Sequence, residues 1–415
     1  MNVINSKGVR LNRLLEWLIS IDAFFSLSPY LIWKTYKYSY FFIIFSSGIE
    51  VLICSLYIYR NIRTKGKIKR STMNMIVGFF VVYYYYIFDA YNGQFSFGIS
   101  NILKPLVICI FLLLSTESKR NVLILFTKIF AASLTLALLT QLFCLIGVPL
   151  PHNVIVPVAK IKTYYNHQYT HFFGCVFMEN IYWSPRFKPL CGMYDEHGLV
   201  GTVAALLLCA NNFEFKRDKS LYIILIGGLT SISLAFYIIV AAYLVGGLVI
   251  EKKIKAFKRV AITITLSVIL FLIFRNNEFI YTHIISRLSF AYLSNNNRTN
   301  DTFNSIFNEY LKSSNVIFGL GNGNPIFNTV DAASYKVILF NLGFVGFLIY
   351  LTWWLYWGVK ESKKTPYGKL LLIVFFLSFY QRPWLLYLYY IVILFGGISY
   401  QKVRGVYRSS IQKQS

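Results

Sequence analysis

The feature that most restricts the fold of this chain is a series of apolar runs, each roughly 15–25 residues long, the length that suits a bilayer. They recur through all 415 residues, and short stretches rich in lysine and arginine separate them. Hydrophobic residues make up 56% of the sequence and charged residues only 14%. A soluble domain of this size has no core large enough for that much apolar surface. The sequence therefore predicts an all-α, polytopic integral membrane protein with one membrane domain, residues 1–415.

About twelve transmembrane helices are expected from the lengths of these runs. Their predicted positions are 13–33, 40–59, 72–91, 100–115, 121–148, 198–212, 220–232, 234–250, 260–274, 336–358, 369–381 and 383–400. The first run lacks the small-residue cleavage site of a signal peptide, which predicts an uncleaved anchor.

The positions of the basic residues predict the orientation. Of the 41 lysines and arginines, 27 fall in the two termini and in five inter-span segments that would share one side. Cytoplasmic loops carry such an excess of positive charge, so both termini are predicted to be cytoplasmic. The same rule divides 221–250 into two spans with a turn near Thr230 and Ser231, because one crossing would put the five cations of 251–259 outside. The net positive charge of the chain is explained by its predicted cytoplasmic segments, which face anionic lipid. Nucleic acid is therefore not an expected partner.

Two outer loops, 149–197 and 275–335, are far longer than the others and hold all five histidines. Transporters usually place polar sites at mid-membrane, whereas most of the polar side chains here lie outside the bilayer. In the second loop, 282–293 and 302–312 have apolar residues at helical spacing, with Asp301 as an N-cap. We expect two short amphipathic helices on the outer surface, which either cap the bundle or line a substrate site.

The outer loops and outer helix ends carry an excess of cations, contrary to the usual charge bias. Guanidinium groups match phosphate oxygens, and a pyrophosphate offers several oxygens at once. The candidates for pyrophosphate binding are Arg186, Lys188, Arg287, Arg298 and Arg382. Each could instead form a structural ion pair or contact a lipid headgroup. A functional role is favoured for Arg382, which lies between two apolar segments, where an unpaired charge is costly.

A glycine-rich segment, FGLGNGN at 318–324, is the candidate substrate loop. Its residues Gly319, Gly321 and Gly323 could let the chain present backbone amides to an anion. The alternative is a simple turn.

An acidic cluster lies where the first long loop re-enters the membrane, at Asp195, Glu196 and His197. Adjacent carboxylates repel, which favours proton uptake by one of them, and histidine titrates near neutrality. These residues are the candidates for the base that accepts a proton from a sugar hydroxyl. Alternatively, Glu196 pairs with an outer arginine and His197 caps the next span.

Other polar and sulfur-containing residues receive no catalytic role. His167 and His171 have metal-ligand spacing on a helix but lack the glutamate of a zinc-protease motif, so no metal or other cofactor is predicted. Cys175 and Cys191 share the outer loop, where a disulfide can form.

Three acidic residues, Asp22, Glu50 and Asp89, fall inside predicted spans. A charge there is costly, so each needs an internal partner such as a cation or a tyrosine. The sequence assigns them no function.

The order of these features resembles that of bacterial O-antigen polymerases of the Wzy type, by architecture over most of the chain and by motif over 186–400. In that family an arginine, then a glycine and an acidic residue, mark the point where a long periplasmic loop re-enters the membrane. Arg186, Gly192 and Glu196 are similar to this arrangement, with His197 where the family usually has proline.

Two later segments extend the resemblance. GLTSISLAFYIIV at 228–240 resembles the family's hairpin turn with threonine and serine, without the arginine often found there. The glycine-rich segment followed by SYKVILFNLGFVGFLIYL at 334–351 is similar to the late glycine motif and the span after it.

The resemblance implies an inverting, metal-independent glycosyltransferase of the broad GT-C type at the periplasmic face of the bacterial inner membrane. Such an enzyme transfers a growing glycan from undecaprenyl pyrophosphate to the terminal sugar hydroxyl of one lipid-linked repeat, for lipopolysaccharide O-antigen. The cations would neutralise the leaving pyrophosphate, and Glu196 or His197 would orient or deprotonate the acceptor hydroxyl. The implied partners are the undecaprenyl-pyrophosphate-linked oligosaccharide, membrane lipid, a chain-length-determining co-polymerase and a flippase.

Two other functions remain open. An O-antigen ligase has the same long outer loops but transfers finished polymer to the lipid A core. A lipid-linked oligosaccharide flippase also has many spans, but it would carry its charges in a central cavity and lack two large loops.

Overall fold

A computed structural model describes residues 6–29, 36–64, 69–89, 94–95, 99–155, 168–179, 188–251, 301–321, 326, 332, 334–380, 382–383 and 386–412. These residues are mostly helical, which agrees with the helical part of the prediction. Among the described residues, two helices are long and apolar enough to cross a membrane, Thr116–Leu145 and Tyr335–Ser362.

The helices follow the predicted apolar runs, except that the run at 260–274 lies outside the described residues. They are α1 (Ser6–Phe25), α2 (Tyr36–Thr64), α3 (Arg70–Ile87), α4 (Ile99–Leu113), α5 (Thr116–Leu145), α6 (His197–Ala210), α7 (Ser220–Thr230), α8 (Leu234–Glu251), α9 (Asp301–Tyr310), α10 (Tyr335–Ser362) and α11 (Pro366–Phe379). The last, α12, comprises Leu388–Ile391, a π-helical turn at Val392–Gly396 and Gly397–Gln412.

Within the described residues, five short strands depart from the all-α prediction. A two-stranded ribbon joins β1 (Phe88–Asp89) to β2 (Gln94–Phe95). In the first long loop β3 (Asn153–Ile155), β4 (Tyr169–Phe172) and β5 (Cys175–Met178) form an antiparallel sheet in the order β3-β4-β5. These strands contain the aromatic and β-branched residues that favour extended structure, but each is too short to produce a clear alternating pattern.

The turn predicted near Thr230 and Ser231 is confirmed. Helix α7 ends at Thr230 and α8 begins at Leu234. Both helices pack against α6, whose residues from Gly198 to Ala210 are all buried. The apolar segment at 198–210 is therefore the centre of the bundle, and the turn between α7 and α8 lies beside its first residues.

Helix α10 is interrupted near its start, at Gly343, where φ is 65° and ψ is −178°. The break frees carbonyl groups from their helical partners, and other elements supply donors to them. The hydroxyl of Tyr310 donates to the Leu339 carbonyl at 2.8 Å, and the Leu320 amide donates to the Phe340 carbonyl at 3.0 Å. A broken helix is tolerated at membrane depth only where protein groups satisfy its backbone in this way.

Helix α9 confirms one of the two amphipathic helices expected in the second loop, while 282–293 lies outside the described residues. Its buried face comprises Phe303, Phe307 and Tyr310. Tyr310 packs on the ring of Phe340 in α10, with centroids 4.8 Å apart. The apolar face thus covers the protein and not the lipid, which matches the bundle-capping alternative. Asp301 lies in the first turn instead of preceding it.

The segments predicted to be cytoplasmic come together at one end of the bundle. Arg404 Nε lies 2.5 Å from a carboxylate oxygen of Glu214, which joins the C-terminal helix to the 211–219 segment. Lys402 Nζ lies 2.5 Å from Glu361, which joins the same helix to the end of α10. Segments far apart in sequence therefore share one charged surface.

Candidate functional site

The segment that re-enters the bundle, 188–196, is fixed by contacts on three sides. The Leu190 amide donates to the Thr230 carbonyl at 3.1 Å, and the Tyr169 hydroxyl of β4 donates to the Asp195 carbonyl at 2.7 Å. Tyr194 is fully buried, stacked on Phe130 of α5 with centroids 5.6 Å apart. These contacts hold the acidic cluster rigidly at the start of α6.

Gly192 provides the sharp reversal in this segment. Its φ of 64° lies in the left-handed region, which a residue with a Cβ rarely adopts. Its carbonyl accepts a hydrogen bond from the Val176 amide of β5 at 2.7 Å. The backbone geometry thus explains why a glycine lies between Arg186 and Glu196 in the sequence motif.

Glu196 and Arg382 form an ion pair although they are 186 positions apart in the chain. Arg382 Nη2 lies 2.5 Å from Glu196 Oε2. Glu196 is the N-cap of α6, but its side chain makes no capping hydrogen bond, because it is directed to the arginine. The structure therefore brings together two residues that the sequence singled out separately, in the arrangement that the sequence left open as an ion pair.

The chain around Arg382 is held by its backbone. The Arg382 amide donates to the Ser378 carbonyl at 2.9 Å, at the end of α11. The next residue, Pro383, cannot continue a helix, and its carbonyl accepts the Tyr350 hydroxyl at 2.7 Å. This leaves the Arg382 side chain only 11% exposed and in contact with the N-terminus of α6.

The Glu196 carboxylate keeps Arg382 charged. Burial opposes the charged form of the guanidinium, but the adjacent carboxylate outweighs it and raises the pKa of Arg382 above its ordinary value. Arg382 Nε is buried and makes no hydrogen bond within the described part of the structure. One carboxylate thus leaves part of the hydrogen-bonding capacity of this guanidinium unused, and an anionic ligand could take it.

His197 lies at the first position of α6, half buried. Its Nδ1 is 2.9 Å from the Ser231 carbonyl, in the turn between α7 and α8. A carbonyl can only accept, so Nδ1 carries the hydrogen, and in the neutral ring the basic lone pair is on Nε2. The geometry therefore defines which nitrogen of His197 could receive a proton.

Asp195 is half buried beside the same site, and its carboxylate lies within electrostatic range of the Tyr387 hydroxyl. Tyr387 immediately precedes α12 and stacks on Tyr389, with ring centroids 6.0 Å apart. Sequence reasoning did not single out this tyrosine among the 32 in the chain. Its position shortly after Arg382, near the start of the next apolar run, is the sequence feature that could have marked Tyr387 as a site residue.

Lys188 occupies a different part of the outer surface. Its Nζ lies 2.6 Å from Glu179 Oε1 and 3.0 Å from Thr170 Oγ1. These three residues line a cavity of about 390 Å³ between the sheet and the end of α5. The carboxylate already neutralises Lys188. The structure therefore favours the structural ion-pair alternative for Lys188.

The described part of the glycine-rich segment does not present amides to a ligand. The amide of Gly319 donates to the Asn315 carbonyl at 2.7 Å, and that of Gly321 donates to the Asn341 carbonyl at 2.9 Å. A Cβ on Gly319 would collide with the backbone of Asn341 and Gly343. Gly319 and Gly321 thus close the break in α10, which corrects their assignment to a substrate loop.

Several predicted site residues lie outside the described residues, namely Arg186, Arg287, Arg298, Gly323 and His167. His171 is described, and it lies on strand β4 with Nδ1 2.7 Å from Asn153 Oδ1. The helical spacing that suggested a metal pair at His167 and His171 does not apply to a residue in a strand.

Cys175 and Cys191 are both buried thiols and are not joined by a disulfide. Cys175 donates to Thr140 Oγ1 at 3.5 Å, and Cys191 donates to the Pro189 carbonyl at 3.7 Å. Burial raises the pKa of the Cys175 thiol to about 11, in spite of the hydrogen bond to Thr140. Cys175 is therefore protonated and unreactive near neutral pH.

The site consists of a buried arginine paired with a carboxylate, a histidine with a defined tautomer, and a second carboxylate near a tyrosine, all at one end of the central helix. Such a set can bind an anion, orient a hydroxyl group and move a proton. Comparison of the chain with protein-family models, with curated proteins and with solved structures gives no match.

Proposed function

We propose that this chain is a polytopic membrane glycosyltransferase of the O-antigen polymerase type. It would extend undecaprenyl-pyrophosphate-linked oligosaccharides at the periplasmic face of the bacterial inner membrane, with about twelve spans and both termini cytoplasmic. A chain-length-determining co-polymerase and a flippase would act with it.

The observation that carries the proposal is the pairing of Arg382 with Glu196 beside His197. Glu196 and His197 come from the segment that resembles the polymerase motif where the first long loop re-enters the membrane, and Arg382 comes from the short segment between the last two predicted spans. A buried arginine whose Nε has no hydrogen-bond partner among the described residues suits a leaving pyrophosphate, because that group develops negative charge as the glycosidic bond breaks. A neighbouring base suits the acceptor, whose hydroxyl must lose a proton.

The proposed reaction has one bond broken and one formed. The bond between the anomeric carbon of the growing glycan and the pyrophosphate oxygen breaks, and its electron pair leaves with the pyrophosphate. The acceptor hydroxyl oxygen forms the new bond to the anomeric carbon. Its proton passes to His197 Nε2 or to Glu196, and Arg382 stabilises the departing anion.

The ion pair suggests a resting state for this site. Without substrate, Glu196 neutralises Arg382, which would otherwise be an unpaired charge in an apolar surrounding. An incoming pyrophosphate would compete for the guanidinium and release the Glu196 carboxylate to act on the acceptor. Substrate binding and activation of the base would then be linked through one arginine.

The proposed function is tested by the lipopolysaccharide of a deletion strain on a gel. A polymerase deletion leaves lipopolysaccharide bearing a single repeat, and the wild-type gene restores the ladder. Arg382→Gln should fail to restore it. Arg217→Gln is a matched control, because Arg217 is an exposed arginine in the predicted cytoplasmic segment 211–219.

Two outcomes would replace the proposal. Uncapped core together with stranded lipid-linked polymer identifies a ligase. Lipid-linked single repeats that accumulate on the cytoplasmic side identify a flippase. A normal ladder with Arg382→Gln at wild-type expression would remove Arg382 from the mechanism.

A further inference from the structure

A second cavity, distinct from the ion pair, lies among helices α1, α2, α3, α4, α10 and the start of α12. Its volume is about 320 Å³. Its lining includes Lys104 of α4 and Glu50, which is the midpoint of α2.

Two carboxylates line this cavity within the apolar bundle. Asp22 is 5% exposed and Glu50 is 1% exposed. Glu50 Oε2 is buried and makes no hydrogen bond with the part of the chain that the structure describes. A buried carboxylate oxygen without a donor is costly, and natural proteins retain one chiefly where a ligand or another group supplies the donor.

The rest of the lining is rich in hydroxyl groups and aromatic rings. The polar residues other than the two acids are Ser26, Ser28, Ser46, Ser47, Asn101, Lys104, Tyr83, Tyr86, Tyr350 and Tyr387. Hydroxyl groups both donate and accept, carboxylates accept from two donors, and aromatic faces pack against C–H groups. A polyhydroxylated ring ligand offers matching groups on its edge and on its faces.

The size and charge of the cavity restrict the ligand further. A volume near the lower end of the range for small-molecule sites suits one sugar ring and not an oligosaccharide. The lining holds two acidic side chains and one ammonium group, so it lacks the cluster of cations that would select an anionic sugar. An inorganic cation needs a close shell of several oxygens, at about 2.0–2.6 Å, and not an open space of this volume.

We propose that this cavity binds a single neutral sugar unit, with Glu50 and Asp22 accepting hydrogen bonds from its hydroxyl groups. Tyr387 lines the cavity and lies five residues after Arg382 in the chain. The identity of this sugar as the terminal unit of the acceptor rests on the proposed function. Binding of a sugar by the cavity is independent of the proposed function.

Saturation-transfer NMR on the full-length protein in lipid nanodiscs tests the proposal. The probes are methyl glucoside, methyl N-acetylglucosaminide and methyl glucuronide. We expect saturation transfer to the two neutral glycosides, at least five-fold more than to the glucuronide. Glu50→Gln should reduce the neutral signals at least five-fold, because the amide replaces one acceptor oxygen with a donor.

Glu117→Gln is the matched control, since Glu117 is exposed at the start of α5 and should leave the signals unchanged. Ser47→Leu fills the cavity without removing a charge and should also abolish the neutral signals. The melting temperature of each variant shows whether it is folded, and Asp22→Asn replaces any variant that is not. Equal signals from wild type and folded Glu50→Gln, or no signal from wild type, would overturn the proposal.

The two proposals fail differently. If Arg382→Gln abolishes the polymer ladder while Glu50→Gln keeps both sugar binding and the ladder, the sugar site is wrong and the polymerase function stands. If Glu50→Gln loses sugar binding but a deletion strain keeps a normal ladder, the sugar site stands and the polymerase function is wrong.

Discussion

At the scale of single residues, the site depends on how a charge is kept inside an apolar bundle. Arg382 is almost fully buried, and Glu196 is its ion-pair partner in the described structure. The attraction within such a pair offsets the cost of removing both groups from water, and loss of one partner leaves an uncompensated charge. Stability and function should therefore respond differently to changes at these two positions.

Glu196→Gln should lower the free energy of unfolding by about 1–3 kcal/mol, less than for a fully buried pair because water reaches part of the Glu196 side chain. The double variant Glu196→Gln, Arg382→Gln should recover most of this loss, because no charge remains. It should still fail to restore the polymer ladder. Thermal unfolding in detergent and the gel together measure both effects, and equal stability of single and double variants would contradict the pairing.

Cys175 gives a chemical test of the first outer loop. With a pKa of about 11, only about one thiol in a thousand is ionised at pH 8, so a maleimide should not label Cys175 in the folded protein. Labelling should appear on denaturation without a reductant. Mass spectrometry distinguishes this from a Cys175–Cys191 disulfide, which would block both thiols until reduction.

At the scale of elements, the break in α10 explains the glycine-rich segment before it. Gly319 and Gly343 bring two backbone segments into contact, and a Cβ on either would collide with the other segment. The Tyr85 hydroxyl of α3 donates to the Leu342 carbonyl at 3.3 Å, another carbonyl beside the break. The glycine-rich segment thus attaches the second outer loop to the bundle. Its backbone contacts in turn hold α10 in the broken conformation.

Gly343→Ala should destabilise the protein by at least about 1–3 kcal/mol, from the positive φ alone, with a further cost from the collision. Gly48→Ala is the control, since Gly48 lies in α2 with open space around it and alanine favours a helix. Melting temperatures should fall for Gly343→Ala and stay equal or rise for Gly48→Ala. No difference between them would mean that α10 is continuous.

At the scale of the whole molecule, the chain has two chemically different ends. One end gathers basic segments with Glu214 and Glu361, and Arg120 lies over the ring of Tyr400 there with 6.0 Å to the centroid. The other end carries the sheet, α9 and the site with Arg382. This separation is what the distribution of cations predicts for a protein with one cytoplasmic face.

A membrane-impermeant maleimide should distinguish the two ends in intact spheroplasts. Ser314→Cys, exposed after α9, should be labelled without permeabilisation. Lys216→Cys, exposed in the segment 211–219, should be labelled only after permeabilisation. Both substitutions are made in a background without reactive native thiols. The reverse labelling pattern would show that the topology is inverted and that the Arg382 site faces the cytoplasm.

The sequence by itself determined the helices, the turn after Thr230 and the face of α9, because apolar periodicity and charge are local properties of the chain. It also singled out Glu196 and Arg382, since charged groups next to apolar runs are conspicuous. It did not indicate the three-stranded sheet, whose strands of three or four residues are too short for a pattern.

Only the tertiary structure decided which charges meet. It paired Arg382 with Glu196 and Lys188 with Glu179, and it placed Asp22 and Glu50 around one cavity. It also showed that Gly319 joins a broken helix instead of forming a ligand loop. Side chains far apart in sequence come together through helix packing, and the distances that result are a property of the folded chain and not of any local segment.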